Sequence, residues 1–559
     1  MKKLIVTCVL VIVGSLLCAQ GAPSWLWASA AGGAGDDWSC DLATDDSGNT
    51  YVGGSFSGTS SFGNIILTSS GGADAFIGKI DTNGNWLWAK RAGGADHDGV
   101  VRVFADNGGN CYITGYFRLS SDFGATTLVS PGERDIFVAK LDTAGNWLWA
   151  VRAGGSGNES GYGIIADGSG NVFITGYFVT TANFGDITLT GWGYYNNVFI
   201  AKLDPDGNWL WANQAGGIEN QCGYDIAIDS NGSLYITGYV NLDSNFGSIY
   251  VSSIGASDIF VAKTDPDGNW QWVINAGGAS TIFGSDAGNA IAIDSADNLY
   301  LSGYYTGTAG FGSSTLTSRG QQDIFVAKLD SSGYWSWATS AGGSSGNDNA
   351  QDIALDGSGN IYITGDFYYR SYFGDTLLQG VGLDHDIFVA KLSPTGNWVW
   401  AIKSQGNWDD SGYGISALAD GTSYVTGYVS ISANFGSITP AWNGLEDIFV
   451  AKLSPGGVDI ADDVQIPPSA FQMRNYPNPF NPETTISYTL PTAGLVSLEI
   501  YNSRGQLVRS LLQEEQSAGE HTLIWNGKDD SGHSVASGLY LCRIACNGIH
   551  EMRKMLLMK

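Results

Sequence analysis

The 559 residues carry 54 acidic against 26 basic side chains, a formal charge of −28, with 43% hydrophobic residues, 79 glycines and 19 tryptophans. Enough apolar side chain for a core excludes a disordered chain, while so much glycine and tryptophan with only 14% charged residues excludes a helical bundle and suits short strands joined by tight turns. A charge this acidic argues against nucleic acid as a partner, because phosphate recognition needs a basic face.

Met1-Lys2-Lys3, the apolar run Leu4 to Cys18 and the small residues Ala19, Gly21 and Ala22 have the three zones of a signal peptide, read here as residues 1–22. Sec-type export through the inner membrane follows, to a secreted or outer-surface location. No later stretch approaches the roughly 20 apolar residues of a membrane span, so no transmembrane segment is expected in the mature chain. Cys40, Cys111, Cys222, Cys542 and Cys546 are odd in number and lack metal-site spacing.

From Trp25 onward the pair Trp-x-Trp recurs at Trp25, Trp86, Trp147, Trp209, Trp270, Trp335 and Trp398. Two further markers, Phe-x-x-Lys (Phe76/Lys79 in the first copy) and Phe-Gly (Phe62 in the first copy), also count seven. The fourth copy shows the unit: strands a (Asp225 to Asp229) and b (Leu234 to Tyr239) flank a Ser-Asn-Gly-Ser turn. Strands c (Asp258 to Lys263) and d (Trp270 to Val273) flank Asp265-Pro266-Asp267-Gly268, which suits a type I turn followed by a left-handed residue. The last copy lacks a Trp-x-Trp strand and the mature chain begins with one, so Trp25 to Ala28 is expected to complete the last unit and remove a free edge. The expectation is all-β: a seven-bladed β-propeller of four-stranded blades over residues 23–453, followed by a small C-terminal Ig-like β-sandwich.

Residues 454–474 read as a Pro, Gly and Asp linker, and residues 475–559 as the separate domain, with alternating runs from Thr485 to Met558 suggesting the sandwich. Tyr476 to Pro482, with its three prolines, is expected to be extended and turn-rich.

The repeated G-N-x-Y-I-T-G, F-G and D-x-F-V-A-K-L-D-x-x-G-N-W-x-W pieces resemble the SBBP family of bacterial β-propeller repeats, a resemblance that implies architecture and assigns no catalytic residues. Single copies depart from it, as at Asn197 for the strand-c Asp and Leu418 for the turn Asp. The C-terminal pieces Asn475 to Pro482, Trp525-Asn526-Gly527, Ala536-Ser537-Gly538 with Tyr540 and Arg553-Lys554-Met555 resemble the type IX secretion C-terminal sorting domain, of the Ig-like kind related to the flagellar hook-capping protein. That resemblance implies the type IX secretion machinery as a partner.

Fourteen of the tryptophans belong to the repeated pairs and are read as packing between blades, since one site does not need seven identical copies. The Asp-x-Asp-Gly-Asn turns at Asp204 and Asp265 share the opening of a calcium loop without its bidentate Glu, which leaves calcium as the one candidate cofactor. The d-to-a loops hold ten acids (Asp36, Asp37, Asp96, Asp98, Glu159, Glu219, Asp286, Asp348, Asp409 and Asp410) and no base, read as a solvated acidic rim. Nucleophile-elbow, HExxH, phosphate-loop and dinucleotide motifs are absent, although carboxylates brought together from different blades would leave no linear motif. Trp38, Trp192, Trp408 and Trp442 break the repeat and fall in the long b-to-c and d-to-a connections, where propellers usually carry function. Closure would bring Trp38, Trp408 and Trp442 to neighbouring loops beside Asp36, Asp37, Asp409 and Asp410, a patch of aromatic faces and carboxylates suited to sugar rings. The function expected is a surface-displayed binding or adhesion scaffold for glycans or proteins. A carbohydrate-active enzyme and a surface-layer component without a discrete ligand are the alternatives.

Overall fold

The computed structural model describes residues 22–279, 285–456 and 472–558, the last stretch except 479, 491–492, 503–505, 518 and 547–548. The signal-peptide reading and most of the linker lie outside the described residues. Two compact units are formed, Met1–Val458 and Asp459–Lys559, and every regular element in both is a strand. No helix among the described residues is long and apolar enough to cross a membrane.

In the first unit the sheets curl around one axis as a propeller. The first four-stranded set runs from the axis outward as a (Trp38–Thr44), b (Thr50–Phe62), c (Ile65–Ile80) and d (Trp86–Ala92), all antiparallel. The same meander is formed seven times among the described residues. In the last set Trp25–Gly33 is the outermost strand, pairing antiparallel with Glu446–Leu453. The innermost strand Trp38–Thr44 packs against both Gly99–Ala105 and Ser411–Ala417, so the first and last sets are neighbours. Buried Ser39 ties them, its Oγ donating to the Gly427 carbonyl at 2.7 Å.

Strands b and c are longer than their sequence pattern suggested. In the fourth set Leu234–Phe246 and Ile249–Thr264 continue as one hairpin to a two-residue turn at Gly247, whose φ of 61° suits glycine. That outer hairpin lies along the Ala-Gly-Gly end of the preceding strand d, with Gly216 opposite Asn245. The b-to-c connection is therefore largely ordered sheet that couples neighbouring sets, not a free loop.

The repeated motifs are packing devices. Phe62 of Phe-Gly meets Phe76 of Phe-x-x-Lys at 4.9 Å and Trp86 edge-on at 5.2 Å, and the other sets repeat this aromatic trio. Each such pair contributes about 0.5–1.5 kcal/mol beyond the area it buries. The motif lysine lies over the strand-b tyrosine, as Lys79 does 4.5 Å from Tyr51, while pairing with Asp45 at 3.3 Å. The second tryptophan reaches the next set: Trp88 Nε1 donates to the Thr143 carbonyl at 3.1 Å and Trp149 to that of Pro205 at 3.0 Å. Where Leu418 replaces the turn Asp, the backbone turn is kept, Gly421 N–H donating to the Leu418 carbonyl at 2.9 Å.

The second unit is Ig-like. A three-stranded sheet (Gln472–Tyr476, Thr484–Leu490, Gly519–Trp525) and a four-stranded sheet (Leu507–Gln516, Gly494–Asn502, Gly538–Cys546, Ile549–Leu557) share one core. Fully buried Trp525 packs there against Phe480 at 5.4 Å and Tyr540 at 5.1 Å. The strand Gln472–Tyr476 begins before the proline-rich run, which alone had suggested only extended chain.

Candidate ligand site at the propeller axis

The expected patch is only partly assembled. Trp38 is 43% and Trp408 56% exposed, as the sugar reading requires. Trp442 instead turns into the core of its set, where its Nε1 donates to the Ala433 carbonyl at 3.1 Å. Trp192 is 38% exposed. Asp36 and Asp409 are exposed, but Asp37 and Asp410 are fully buried and present no acceptor to solvent. Asp37 accepts from Gly33 N–H at 2.7 Å and Ser57 N–H at 3.0 Å, and Asp410 from Ser430 N–H at 2.8 Å. Asp98, Glu159, Asp286 and Asp348 are buried in the equivalent places. The acidic d-to-a loops are thus mainly internal pins between sets, not a solvated rim.

The turn aspartates are also occupied. Asp265 Oδ1 accepts from the N–H groups of Asp267 and Asn269 at 3.0 and 2.9 Å, closing its own turn, and Asp204 does the same with Asp206 and Asn208. Among the described residues no group of three or more His, Cys, Asp and Glu is placed to hold a metal ion.

The site with the geometry to take a ligand lies on the axis. Each innermost strand carries a β-bulge at the same place, between Ser39 and Asp41 in the first set and between Gly223 and Asp225 in the fourth. A bulge leaves one residue out of the ladder and re-aims its side chain. The bulged residues Tyr162, Tyr224 and Tyr413, the amides Asn289 and Gln351, and Cys40 and Val101 all line one cavity of about 530 Å³. Tyr304, Gln322 and Asn349 complete its wall. One structural position, repeated around the ring and filled by five different residue types, builds this lining.

The ring contacts fall into two groups, one on the third and fourth sets and one on the last and first. Tyr162 meets Tyr224 at 5.3 Å and Tyr177 at 6.0 Å, and Tyr224 meets Tyr239 at 5.6 Å. Tyr413 meets Tyr428 at 5.8 Å, and Tyr428 meets Trp38 at 6.1 Å, which places Trp38 at the rim of this aromatic surface. Trp38 is held there by a 2.5 Å hydrogen bond from its Nε1 to Glu446 Oε2. Burial raises the phenol pKa values of Tyr162, Tyr224 and Tyr413, so these hydroxyls stay protonated donors at neutral pH.

The residue after each bulge also breaks the repeat. Arg102 lines the cavity, and its guanidinium is 3.0 Å from Asp225, 3.3 Å from Asp352 and 3.7 Å from Asp41. These carboxylates fix neighbouring strands too, accepting from Ile291 N–H at 2.9 Å, Ile415 N–H at 2.8 Å and Val103 N–H at 2.7 Å. Burial pushes their pKa values up against the pull of Arg102, while the three carboxylates hold the guanidinium firmly charged. The one cation of the lining is therefore consumed internally. The exposed-loop criterion missed this site because the bulged residues sit inside repeated strands. The usable signal was Cys40, Val101, Tyr162, Tyr224, Asn289, Gln351 and Tyr413 varying two residues before a position that is aliphatic in every copy.

Residues 337–366 match the SBBP β-propeller repeat and residues 481–547 match the FlgD Ig-like domain. The chain is 26% identical over 439 residues to an uncharacterized WD repeat-containing protein of Acanthamoeba polyphaga mimivirus, covering 63% of this chain and 32% of that protein. It is 27% identical over 148 residues to the regulatory protein FlaEY of Caulobacter vibrioides, covering 25% of this chain and 15% of that one. The chain thus spans about a third or less of the length of these curated relatives. Among solved structures, PorZ, a surface component of the type IX secretion system of Porphyromonas gingivalis, aligns over 95% of this chain and 75% of its own at 14% identity, with a TM-score of 0.26.

Proposed function

From a chain that carries the SBBP β-propeller repeat and a FlgD-type Ig-like domain, we propose an exported, surface-displayed binding protein whose propeller takes a neutral glycan at its axial cavity. The observation that carries this reading is the lining: Tyr162, Tyr224 and Tyr413 flank the adjacent amides Asn289 and Gln351, and Arg102, the only cation among the described lining residues, is neutralised by buried carboxylates. Tyrosine rings stack on the CH faces of sugars, and amides exchange hydrogen bonds with their hydroxyls. Asn349 Oδ1 is buried without a donor, which suits a ligand hydroxyl. A volume of about 530 Å³ accommodates one or two sugar rings.

The experiment is a glycan array on the full chain followed by calorimetric titration with the best neutral oligosaccharide. Tyr224→Ala and Gln351→Ala are each expected to weaken binding about tenfold or more, equivalent to about 1.4 kcal/mol. Affinity that survives both changes but is lost with Trp408→Ala moves the site to the outer loops, and an array with no neutral glycan hit ends the proposal.

The same reading has the Ig-like domain direct type IX secretion. A chain ending at residue 474, expressed in a host with that machinery, is expected to stay in the periplasm, whereas the full chain becomes accessible to protease on intact cells. Equal surface exposure of both chains would remove the sorting role.

A further inference from the structure

Among the described residues, six of the seven junctions between successive sets bury two carboxyl groups together. One lies on strand c and the other follows strand d: Asp135 with Glu159, Asp386 with Asp410 and Asp447 with Asp37 are three of the pairs. Asp74 with Asp98, Asp258 with Asp286 and Asp323 with Asp348 are the others. Their closeness explains the first glycine of Ala-Gly-Gly at three junctions. A Cβ on Gly32 would collide with Asp447 Oδ1 and lie 3.0 Å from Asp37 Oδ2. One on Gly154 would meet Asp135 Oδ1 and lie 3.0 Å from Glu159 Oε2, and Gly277 is placed alike between Asp258 and Asp286.

The pairs are short of donors. Asp135 Oδ1 and Glu159 Oε1 are both buried without a hydrogen-bond partner, as are Asp386 Oδ2 and Asp410 Oδ2, and Asp447 Oδ1 is a fifth such atom. Two unprotonated carboxylates so placed would repel, and an orphaned buried oxygen costs about 1–3 kcal/mol. The seventh junction is the internal control, because there the pair is Asn197 with Gln221. Amides bring their own donors: Asn197 Nδ2 donates to the Tyr195 carbonyl at 2.7 Å and Gln221 Nε2 to that of Asn241 at 3.2 Å. One fold position thus accepts either two amides or two carboxyls, which requires the carboxyl pair to carry less than its full charge.

We propose that each of these six junctions binds one proton shared between its two carboxyls, so that neighbouring sets are clasped by an O–H···O hydrogen bond. The charges around the clasps do not replace that proton. Arg152 meets Asp135 Oδ2 at 2.5 Å and Lys403 stands 3.9 Å from Asp386, each satisfying only the strand-c member. Arg91 treats Asp74 likewise at 2.7 Å. Asp384 and Asp409 add negative charge near Asp410, as do Asp96 near Asp98 and Asp366 near Asp348, and Arg319 faces Asp323. Among the described residues the Asp447 and Asp258 pairs face no cation within ion-pair distance, Asn275 being the partner of Asp258. Burial holds Asp37 at about 6, Asp98, Asp286 and Asp348 at about 7 and Asp410 at about 8.

Because these folded values lie above the ordinary carboxyl value, the native state binds more protons than the unfolded chain. The clasps therefore contribute fully only below about pH 4, the unfolded carboxyl value, and their contribution is lost progressively as pH rises from there through about 6 to 8. Scanning calorimetry of the full chain in chelator between pH 5 and 9, with the protons exchanged with buffer on unfolding at pH 6, tests this. Tm is expected to fall as pH rises, and unfolding to release protons. Glu159→Gln with Asp410→Asn should remove about one released proton per altered pair and flatten the Tm profile. Asn197→Asp with Gln221→Glu should add one and steepen it. No proton release by the unaltered chain, or a Tm that rises with pH, overturns the proposal. So does full recovery of the alkaline Tm on adding calcium, which would put a cation where the proton is placed.

Discussion

A chain lacking residues 22–33 is expected to lose its cooperative melting transition near the temperature of the full propeller and to aggregate. Trp25–Gly33 pairs along Glu446–Leu453 from Trp25 opposite Leu453 to Ala31 opposite Ile448, and its last two residues pair with Ser60 and Ser61 of the first set. It therefore holds the end of the array to its beginning. Trp25 also packs edge-on against Phe435 at 4.9 Å, and Trp27 donates to the Thr82 carbonyl at 3.0 Å. Two large side chains at about 1.5–3 kcal/mol each put the loss on the order of 5 kcal/mol, a large share of the roughly 5–15 kcal/mol by which domains are stable. Removing the strand bares Glu446–Leu453, an edge of mostly apolar residues of the kind that recruits other chains. Scanning calorimetry and light scattering measure both effects. An unchanged Tm with a monodisperse chain would mean that the ring does not depend on this strand.

Arg102→Met should be the most damaging single substitution on the axis. It leaves Asp41, Asp225 and Asp352 buried, still fixed to their backbone donors, with no cation between them. Breaking a buried ion pair by removing one member costs about 3–5 kcal/mol, since the survivor keeps its desolvation cost. The deficit should shrink in mild acid. Without the guanidinium these folded-state carboxyls titrate higher still than the about 8 of Asp41 and about 6 of Asp352, so their protonation as pH falls from 8 to 5 relieves the repulsion. Asp225→Asn and Asp352→Asn added to Arg102→Met should recover part of the loss at neutral pH. Thermal melts of the three chains at pH 5 and pH 8 decide it: equal deficits at both pH values would show that Arg102 acts through packing alone.

These two predictions draw on different kinds of information. The Trp-x-Trp, Phe-Gly and Phe-x-x-Lys spacings were legible because each motif makes the same local contact in every copy, so periodicity alone reveals the unit. Trp38 and Trp408 were legible as exceptions to that period. Trp442 was not separable from them, because an indole that caps a core and one that faces solvent look alike in a chain. Asp37 and Asp410 were read as surface acids for a similar reason: carboxyl side chains are usually solvated, and only the backbone donors at Gly33, Ser57 and Ser430 reveal their burial.

The sequence by itself determined the all-β class, the repeated four-stranded unit and the Ig-like C-terminal domain, since alternation, turn residues and repeat spacing are local properties of the chain. Only the tertiary structure decided what meets on the axis. Tyr162, Tyr224, Asn289, Gln351 and Tyr413 are about 60 residues apart from copy to copy, and none carries a motif of its own. They converge because a bulge recurs at one point of every innermost strand and the strands close around a common centre. The same closure sets Arg102 among Asp41, Asp225 and Asp352 and brings the carboxyl pairs together at the junctions. Such contacts depend on how successive sets are rotated about the axis, and spacing along the chain does not encode that rotation.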